Sequence, residues 1–392
     1  MKVLCLDIEG GHGGSSRSLY ELLRHMEKRD VELEVWCRRD GLIEEMYSAC
    51  GVTCRVERSM PRFSALPKLS RNLWAGSFAL RDHYRAGEFK QRLLKAVPRF
   101  DLVHFNHEAL FLLAAFVRRR LSPHTPLSMH VRTNLIDTLV SRWQARNIAT
   151  SLDYLVFITE NEERNFCTLG GEPKNGTVLY NAVTPFDLDV SQNPDGGGEF
   201  RIACLSNYDW VRGVDRLVDV AQSLKSLGRT DIIFVVAGDM GLRRSLPGEL
   251  GQLGREGATL PDYAHLKNVA SMFQFLGHVS DPERVLSECD ALIKPTREAN
   301  PWGRDILEGL AAGKPVISYG TYDTFVETGE TGILREVFDA DETAQDIIGL
   351  ADDPAYCQAL GSGGRSRVAQ LCDGPTQAAK LVQVWRSAIA AN

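Results

Sequence analysis

The sequence predicts an α/β protein in two domains, and three observations carry that prediction. At 392 residues the chain exceeds a typical single domain of about 100–150 residues. Short continuous apolar runs, each followed by a glycine- or proline-broken loop and then by helically spaced apolar residues, recur in both halves, as the strands of parallel sheets do. Between the halves, Pro185 to Gly198 (PFDLDVSQNPDGGG) is rich in turn formers and poor in apolar side chains, and reads as a linker. Hydrophobic residues make up 44% and charged residues 24%, a globular balance that argues against a disordered chain.

In chain order, Val3-Leu4-Cys5-Leu6 is a first strand. Glu9 to Ser16 (EGGHGGSS) follows it directly, before a helix marked by Leu19, Leu22 and Leu23. Glycines after a strand let the backbone approach a phosphate closely. The run is not the G-x-G-x-x-G of dinucleotide enzymes, however, and no NAD-binding unit follows. Residues 31–36 (VELEVW) alternate as a second strand, and residues 53–56 form a third.

Arg55 to Arg99 then carries eleven Lys/Arg against three Asp/Glu, interleaved with Phe63, Leu69, Trp74 and Phe78 among others. Two readings stand for this block. It is a surface for a membrane or an anionic lipid-linked acceptor, or it is a set of amphipathic helices with solvated basic faces. Nucleic acid is disfavoured, because the net charge is −6 and no nucleic-acid-binding pattern appears.

Phe100 to His107 (FDLVHFNH) and Pro126 to Thr133 (PLSMHVRT) are two further strands with polar ends. That layout suits a crevice at the carboxyl edge of a parallel sheet. His107 and His130 are therefore candidates, and Arg132 is a candidate to hold an acceptor carboxylate or phosphate. His104 is expected to bond a backbone group under the sheet. Leu155 to Glu160 is another strand, and Val178 to Val183 closes the first half.

The second half opens with the strand Phe200 to Ser206, the loop Asn207 to Gly213 and a helix through Val214, Leu217, Val218 and Ala221. Ile232 to Gly238 (IIFVVAG) is a buried parallel strand. Helix and loop follow over 239–264, then a strand at Phe273 to Gly277 and a short helix at Val285, Leu286 and Cys289. After a loop at 321–331 come a short edge strand at Ile333-Leu334 and a helix over 340–350. An amphipathic helix over 375–391 ends the chain.

The most informative stretch is Lys294 to Ser318. Ala291-Leu292-Ile293 is a strand, Pro295 to Trp302 is too polar and proline-broken for helix, and Ile306, Leu307, Leu310 and Ala311 recur at helical spacing until Gly313. A loop entering a helix at the carboxyl end of a strand offers free N–H groups and the positive end of the helix dipole, which suit a phosphate. Glu308 lies about one and a half turns into that helix, where a carboxylate would accept from the vicinal hydroxyls of a ribose.

Charge and cysteine usage set further bounds. Residues 1–190 carry 26 Lys/Arg against 23 Asp/Glu, net +3, and the remainder 19 against 28, net −9. The halves are thus expected to meet different partners. Nine scattered cysteines without a C-x-x-C pair read as free thiols of a reducing cytoplasm, not as zinc ligands or disulfides. No apolar run reaches membrane-span length, and the first residues enter a strand without a signal-peptide layout. Asp187-Leu188-Asp189 matches a D-x-D metal motif by letter only, because it follows no strand.

These residues together resemble the retaining glycosyltransferases of the two-Rossmann (GT-B) fold, the large group 1 family. In that family a loop of the form P-S-x-x-E-P-F-G leads into L-E-A-x-A-x-G-K-P-V. Here Pro301-Trp302-Gly303 stands for P-F-G and Leu307-Glu308-Gly309 for L-E-A. The resemblance implies that Glu308 binds the nucleotide ribose and that Trp302, Gly303 and Arg304 line the donor site. An earlier glutamate faces the donor hexose in the family. Strict spacing puts Asn300 there, and a loop longer by two puts Glu298; we favour Glu298, with Asn300 left open. The loop 206–213 resembles G-R-x-x-x-x-K-G, whose two cations bind the donor diphosphate. Arg212 falls on the lysine, while Ser206 and Asn207 fall on the glycine and arginine. A neutral amide thus replaces one cation, and Arg304 is the candidate to restore it.

The resemblance extends to Gly13 and Gly14, beside the donor phosphates, and to the strand end that gives His130 a place near the reacting sugar. It implies a first, acceptor-binding domain over 1–184, a linker over 185–199, and a nucleotide-sugar domain over 200–374. The two domains would face each other across a cleft, with the helix 375–392 crossing back onto the first. It further implies transfer of a hexosyl group from a UDP- or GDP-sugar to a saccharide or lipid-linked acceptor, in surface-polysaccharide or glycolipid synthesis. The leaving phosphate would take the acceptor proton, and no cofactor or metal is expected. The expected location is cytoplasmic, with peripheral membrane contact through 55–99 as an open addition. The alternatives are a non-catalytic nucleotide-sugar-binding or scaffold protein, and an epimerase on the same fold.

Overall fold

The computed structural model describes residues 1–8, 14–27, 29, 31–61, 80–121, 125–184, 198–298 and 300–391. The chain divides into two compact units, Met1–Ala182 together with Cys372–Asn392, and Val183–Leu371.

The first unit is built on a seven-stranded sheet. Its strands are β1 (Lys2–Asp7), β2 (Glu32–Cys37), β3 (Thr53–Val56), β4 (Leu102–Phe105), β5 (Leu127–Val131), β6 (Tyr154–Phe157) and β7 (Gly176–Val178). They lie in the order β3-β2-β1-β4-β5-β6-β7, with every neighbouring pair parallel. Helices cover both faces, so Val3, Leu4, Cys5 and Leu6 are all fully buried. Each such side chain contributes roughly 1.5–3 kcal/mol of burial.

The last helix, Gly374–Ala390, belongs to this unit. Its Leu381, Val384, Trp385 and Ala388 share a core with Val3, Cys5, Leu19 and Leu22. Asp373 caps it by accepting from the Thr376 N–H at 2.9 Å. Gly374 packs closely on His25: a Cβ there would lie 2.4 Å from the ring, so a larger residue would displace it.

The second unit repeats the plan with six strands: β8 (Phe200–Leu205), β9 (Ile232–Ala237), β10 (Phe273–Gly277), β11 (Ala291–Lys294), β12 (Val316–Tyr319) and β13 (Gly332–Arg335). Their order is β10-β9-β8-β11-β12-β13, again all parallel. The strand order therefore reverses between β1 and β4 in the first sheet and between β8 and β11 in the second. Ligands of open α/β sheets bind at the carboxyl ends of strands at such a switch point.

One long helix is absent from the sequence-based expectation. Pro354–Leu371 forms a regular helix of 18 residues, although Gly361, Gly363 and Gly364 lower its helical propensity. The glycines serve packing: a Cβ on Gly361 would lie 2.0 Å from the Gly313 carbonyl oxygen, and one on Gly364 2.6 Å from Leu310.

Candidate active site

In the second unit the loops after β8 and β11 are welded to each other. Arg297 stacks on Trp210, 3.6 Å from the ring centroid, and grips the buried Asp215 carboxylate with two bonds of 2.8 and 2.5 Å. Its backbone N–H donates to the Val211 carbonyl at 2.8 Å. Gly213 adopts φ +68°, and a Cβ there would lie 2.0 Å from the Pro295 carbonyl oxygen, so only glycine fits. Neither Arg297 nor Asp215 was among the expected site residues. Their pairing spans 82 positions, and nothing local marks it.

On this platform Arg212 is exposed and donates to the Ser206 hydroxyl at 3.0 Å. Among the described residues no carboxylate pairs with it. Asn207 acts differently. Its side-chain oxygen accepts from the Asp239 N–H at 2.8 Å, tying two strand-end loops together. Burial pushes the Cys204 thiol up to about 12, with Asp305 adding to the rise and Arg212 and Lys294 opposing it.

Lys294 is a second residue that sequence reasoning missed. Its ammonium donates to the Trp302 carbonyl at 2.5 Å and to Asp305 at 3.3 Å, beside the start of the helix Arg304–Ala311. That helix begins at Gly303, φ 142°, with no side-chain cap, so the positive end of its dipole is not neutralised by its own capping residue.

Trp302 is 3% exposed and meets Tyr322 edge-on at 5.2 Å, which makes it a post holding the loop from inside. Glu308 is buried, and the Arg304 Nε lies 3.0 Å from its carboxylate. Arg304, the expected second phosphate cation, thus stands one helical turn from Glu308 and forms an ion pair with it. Glu298 is exposed. Partial desolvation and the nearby Asp209 raise its carboxyl above the ordinary value, against Lys294 and Arg212. The Asn300 side-chain oxygen is buried without a hydrogen-bond partner among the described residues. Both residues stay on the same loop, and the geometry leaves the two alternatives open.

The switch point of the first unit is closed by side chains. Asp7 ends β1 and is fully buried; it accepts from Asn106 Nδ2 and from the Tyr47 hydroxyl, both at 3.0 Å. Arg132 donates to the Asn106 carbonyl at 2.7 Å, to the Asn106 side-chain oxygen at 2.6 Å and to Asn181 at 3.2 Å. All three guanidinium nitrogens are engaged and the residue is buried. Arg132, expected to hold an acceptor anion, thus braces the ends of β4 and β5 with these bonds. His107 accepts from the Ala109 N–H at 3.0 Å, beginning the turn Glu108–Leu110.

His104 also departs from expectation, bonding side chains where a backbone partner was expected. One ring nitrogen lies 2.8 Å from the Ser128 hydroxyl and the other 2.7 Å from His130 Nδ1. Burial, with the positive charge of Arg132, lowers both histidines, His104 to about 3, so both are neutral near pH 7. Gly14 starts the helix Gly14–Arg24, with open space where a Cβ would stand; Gly13 lies outside the described residues.

In the basic block, residues 62–79 lie outside the described residues. Of the rest, Arg55 and Arg92 converge on Glu57 at 2.7 and 2.9 Å, and Arg58 meets Asp40 at 2.6 Å. Among the described residues all nine cysteines are free, no group of three metal-ligating side chains converges, and no helix is long and apolar enough to cross a membrane.

Comparison with known proteins bears on both units. Residues 186–367 match the family described as glycosyl transferases group 1, and residues 12–185 match glycosyltransferase family 4. A GDP-mannose-dependent monoacylated alpha-(1-6)-phosphatidylinositol monomannoside mannosyltransferase of Corynebacterium glutamicum is 27% identical over 58% of this chain and 60% of its own length. A D-inositol 3-phosphate glycosyltransferase of Catenulispora acidiphila is 25% identical over 77% of this chain and 76% of its own. Among solved structures, Anabaena Alr3699/HepE in complex with UDP and glucose superposes with a TM-score of 0.76 at 19% identity, covering 99% of this chain and 100% of that one. Sucrose-phosphate synthase of Thermosynechococcus elongatus gives 0.74 at 16% identity, with both chains fully covered. These structural likenesses establish the GT-B fold of two Rossmann-like domains.

Proposed function

Because the chain belongs to the group 1 glycosyltransferases, we propose that it moves a hexosyl group, with retention, from a UDP- or GDP-sugar to a saccharide or lipid-linked acceptor. One observation carries this reading. At the switch point of the second sheet an exposed arginine with no carboxylate partner among the described residues, Arg212, stands on a rigid loop pair together with a helix N-terminus whose N-cap residue, Gly303, provides no side-chain cap. A diphosphate leaving group develops its charge where such donors are fixed beforehand, and that preorganisation is a large part of catalysis. Glu308 would take the ribose, Glu298 or Asn300 the hexose, and Gly13 and Gly14 the space beside the phosphates. His130 would meet a sugar hydroxyl.

The relatives named for GDP-mannose and for inositol phosphate, and the neighbour solved with UDP and glucose, support a nucleotide-sugar donor. They leave the choice of base and sugar to experiment. A second reading, a non-catalytic nucleotide-sugar-binding protein, is favoured by Asn207, whose amide replaces a cation and is committed to a backbone N–H.

Calorimetry and thermal shift against UDP, GDP, ADP and their sugars test the proposal, with Glu308→Gln as control. Tight binding of one nucleotide by the wild type and weak binding by the variant is expected, followed by sugar transfer when saccharide and lipid-linked acceptors are supplied. Binding without transfer to any of them favours the second reading. No binding at millimolar concentration overturns the donor site itself.

A further inference from the structure

A chain of three buried rings runs through the first unit. His104 on β4 and His130 on β5 are 0% and 1% exposed, and Trp385 on the helix Gly374–Ala390 is 0% exposed. The indole Nε1 lies 3.4 Å from His104 Nδ1, and His104 Nε2 lies 2.7 Å from His130 Nδ1. The imidazoles stand perpendicular at 89° with centroids 4.8 Å apart. Beyond them His130 Nε2 is buried and has no partner among the described residues.

The protons on this chain are fixed by chemistry. A neutral imidazole carries one N–H and one bare nitrogen, and the bond made by one nitrogen decides what the other presents. The Ser128 hydroxyl, 2.8 Å from His104 Nδ1, donates or accepts equally well and decides nothing. An indole N–H only donates. If His104 Nδ1 carried the proton, two N–H groups would face each other in a fully buried place and the indole donor would go unreceived, an arrangement that folded proteins avoid. His104 Nδ1 is therefore the acceptor and its Nε2 carries the proton. His130 Nδ1 receives that proton's hydrogen bond, so the hydrogen of His130 stands on Nε2.

We propose that Trp385 is a positioning residue which, acting through His104, holds His130 in the Nε2–H form, so that His130 meets substrate as a hydrogen-bond donor and not as a base. The second clause rests on the transferase reading, in which His130 faces a sugar oxygen; the first stands without it. Burial and the charge of Arg132 disfavour a second proton on either ring, which agrees with a neutral donor. The opposite relay, with His104 Nδ1–H donating to Ser128, would leave a bare nitrogen at His130 Nε2 and turn the same residue into a base.

The test is a long-range proton–nitrogen correlation spectrum of the full chain labelled with ¹⁵N-histidine, without substrate. In the wild type both His104 and His130 are expected to show a protonated Nε2 and a bare Nδ1. Trp385→Phe keeps an aromatic ring but removes the donor, and the signals of both rings are then expected to shift toward the opposite tautomer. Ser128→Ala, which leaves the indole in place, is expected to leave the tautomers as they were. A wild type with Nδ1–H on His130 overturns the proposal. So does a folded Trp385→Phe variant with unchanged tautomers, or a Ser128→Ala variant that flips them. Should Trp385→Phe fail to fold, the wild-type and Ser128→Ala spectra still decide. Transfer assays then separate this inference from the functional reading. A lower kcat in Trp385→Phe, with the affinity for UDP or GDP unchanged, is expected if His130 serves the reaction as a donor. An unaltered kcat in a variant whose tautomers have flipped would overturn the second clause alone.

Discussion

The two units share one strand order yet treat its switch point in opposite ways. In the first, the carboxyl ends of β1, β4 and β5 are filled by Asp7, Asn106 and Arg132, whose polar atoms mostly satisfy one another inside the unit. In the second, the loops after β8 and β11 are joined by Arg297 on Asp215, and Arg212 on the same loops is left exposed. The same topology thus yields one edge filled largely by buried hydrogen bonds, with His130 Nε2 left without a partner among the described residues, and one that keeps an exposed arginine. A buried network demands that each member be satisfied, whereas an exposed cation is stable without a carboxylate and stays available to an anion.

The most severe way to break this contrast is Arg132→Met. It leaves the buried Asp7 without its opposing charge and the Asn106 oxygens without their donors. The first unit should lose on the order of 3–5 kcal/mol in denaturant unfolding, and its amides should exchange faster while those of the second keep their protection. If stability holds and only acceptor affinity falls, Arg132 is a binding residue after all.

Acid should act on the same unit. His104 and His130 have folded-state values well below the unfolded value near 6.5. The unfolded chain therefore binds more protons below that pH. Stability is fully present above about pH 6.5 and declines as pH falls, by about 1.4 kcal/mol per pH unit for each histidine, until His104 itself titrates at about 3. Asp7 works in the opposite sense, since burial raises its carboxyl above the usual range, but His83, lowered to about 4, and His25, also lowered, add to the loss from His104 and His130. Melting profiles between pH 7 and 5 should show the first unit losing stability, with His104→Gln reducing the slope. A flat profile would show that the histidines are not buried in neutral form.

Gly213→Ala tests the welded loops of the second unit. A side chain at φ +68°, against the Pro295 carbonyl, should cost about 2 kcal/mol or more and weaken nucleotide binding in calorimetry. Undiminished binding would mean that the loop pair is not the donor platform. Arg212→Gln should have the smallest effect on stability, within about 0.5 kcal/mol. Diphosphate affinity should nevertheless fall on the order of 10-fold or more, as for loss of a charge-assisted bond. An unchanged affinity would remove Arg212 from the site.

Much of the fold was legible because burial leaves a periodic trace. Ile232–Ala237 is a continuous apolar run and a fully buried strand. Ile306, Leu307, Leu310 and Ala311, spaced for helix and stopped at Gly313, became the helix Arg304–Ala311. The helix Pro354–Leu371 escaped notice because its packing uses glycines, which carry no hydrophobic signal. At the candidate site, the loops were legible from their position after strands, but the partners of their side chains were not. Arg304 and Glu308 stand four apart on one helix, so their pairing was within reach of the sequence. That of Arg297 with Asp215 was not.

The sequence by itself determined where strands end, where helices begin and which strand ends carry polar side chains. Those features depend on neighbours a few positions away, and hydrophobic period and glycine placement record them directly. Tertiary structure alone decided what the polar side chains do. It turned Arg132 inward as a brace, left Arg212 exposed, and set Trp385 against His104 across 281 positions. A hydrogen bond needs its two atoms about 3 Å apart and correctly aimed, and only the folded chain brings such distant residues within that reach.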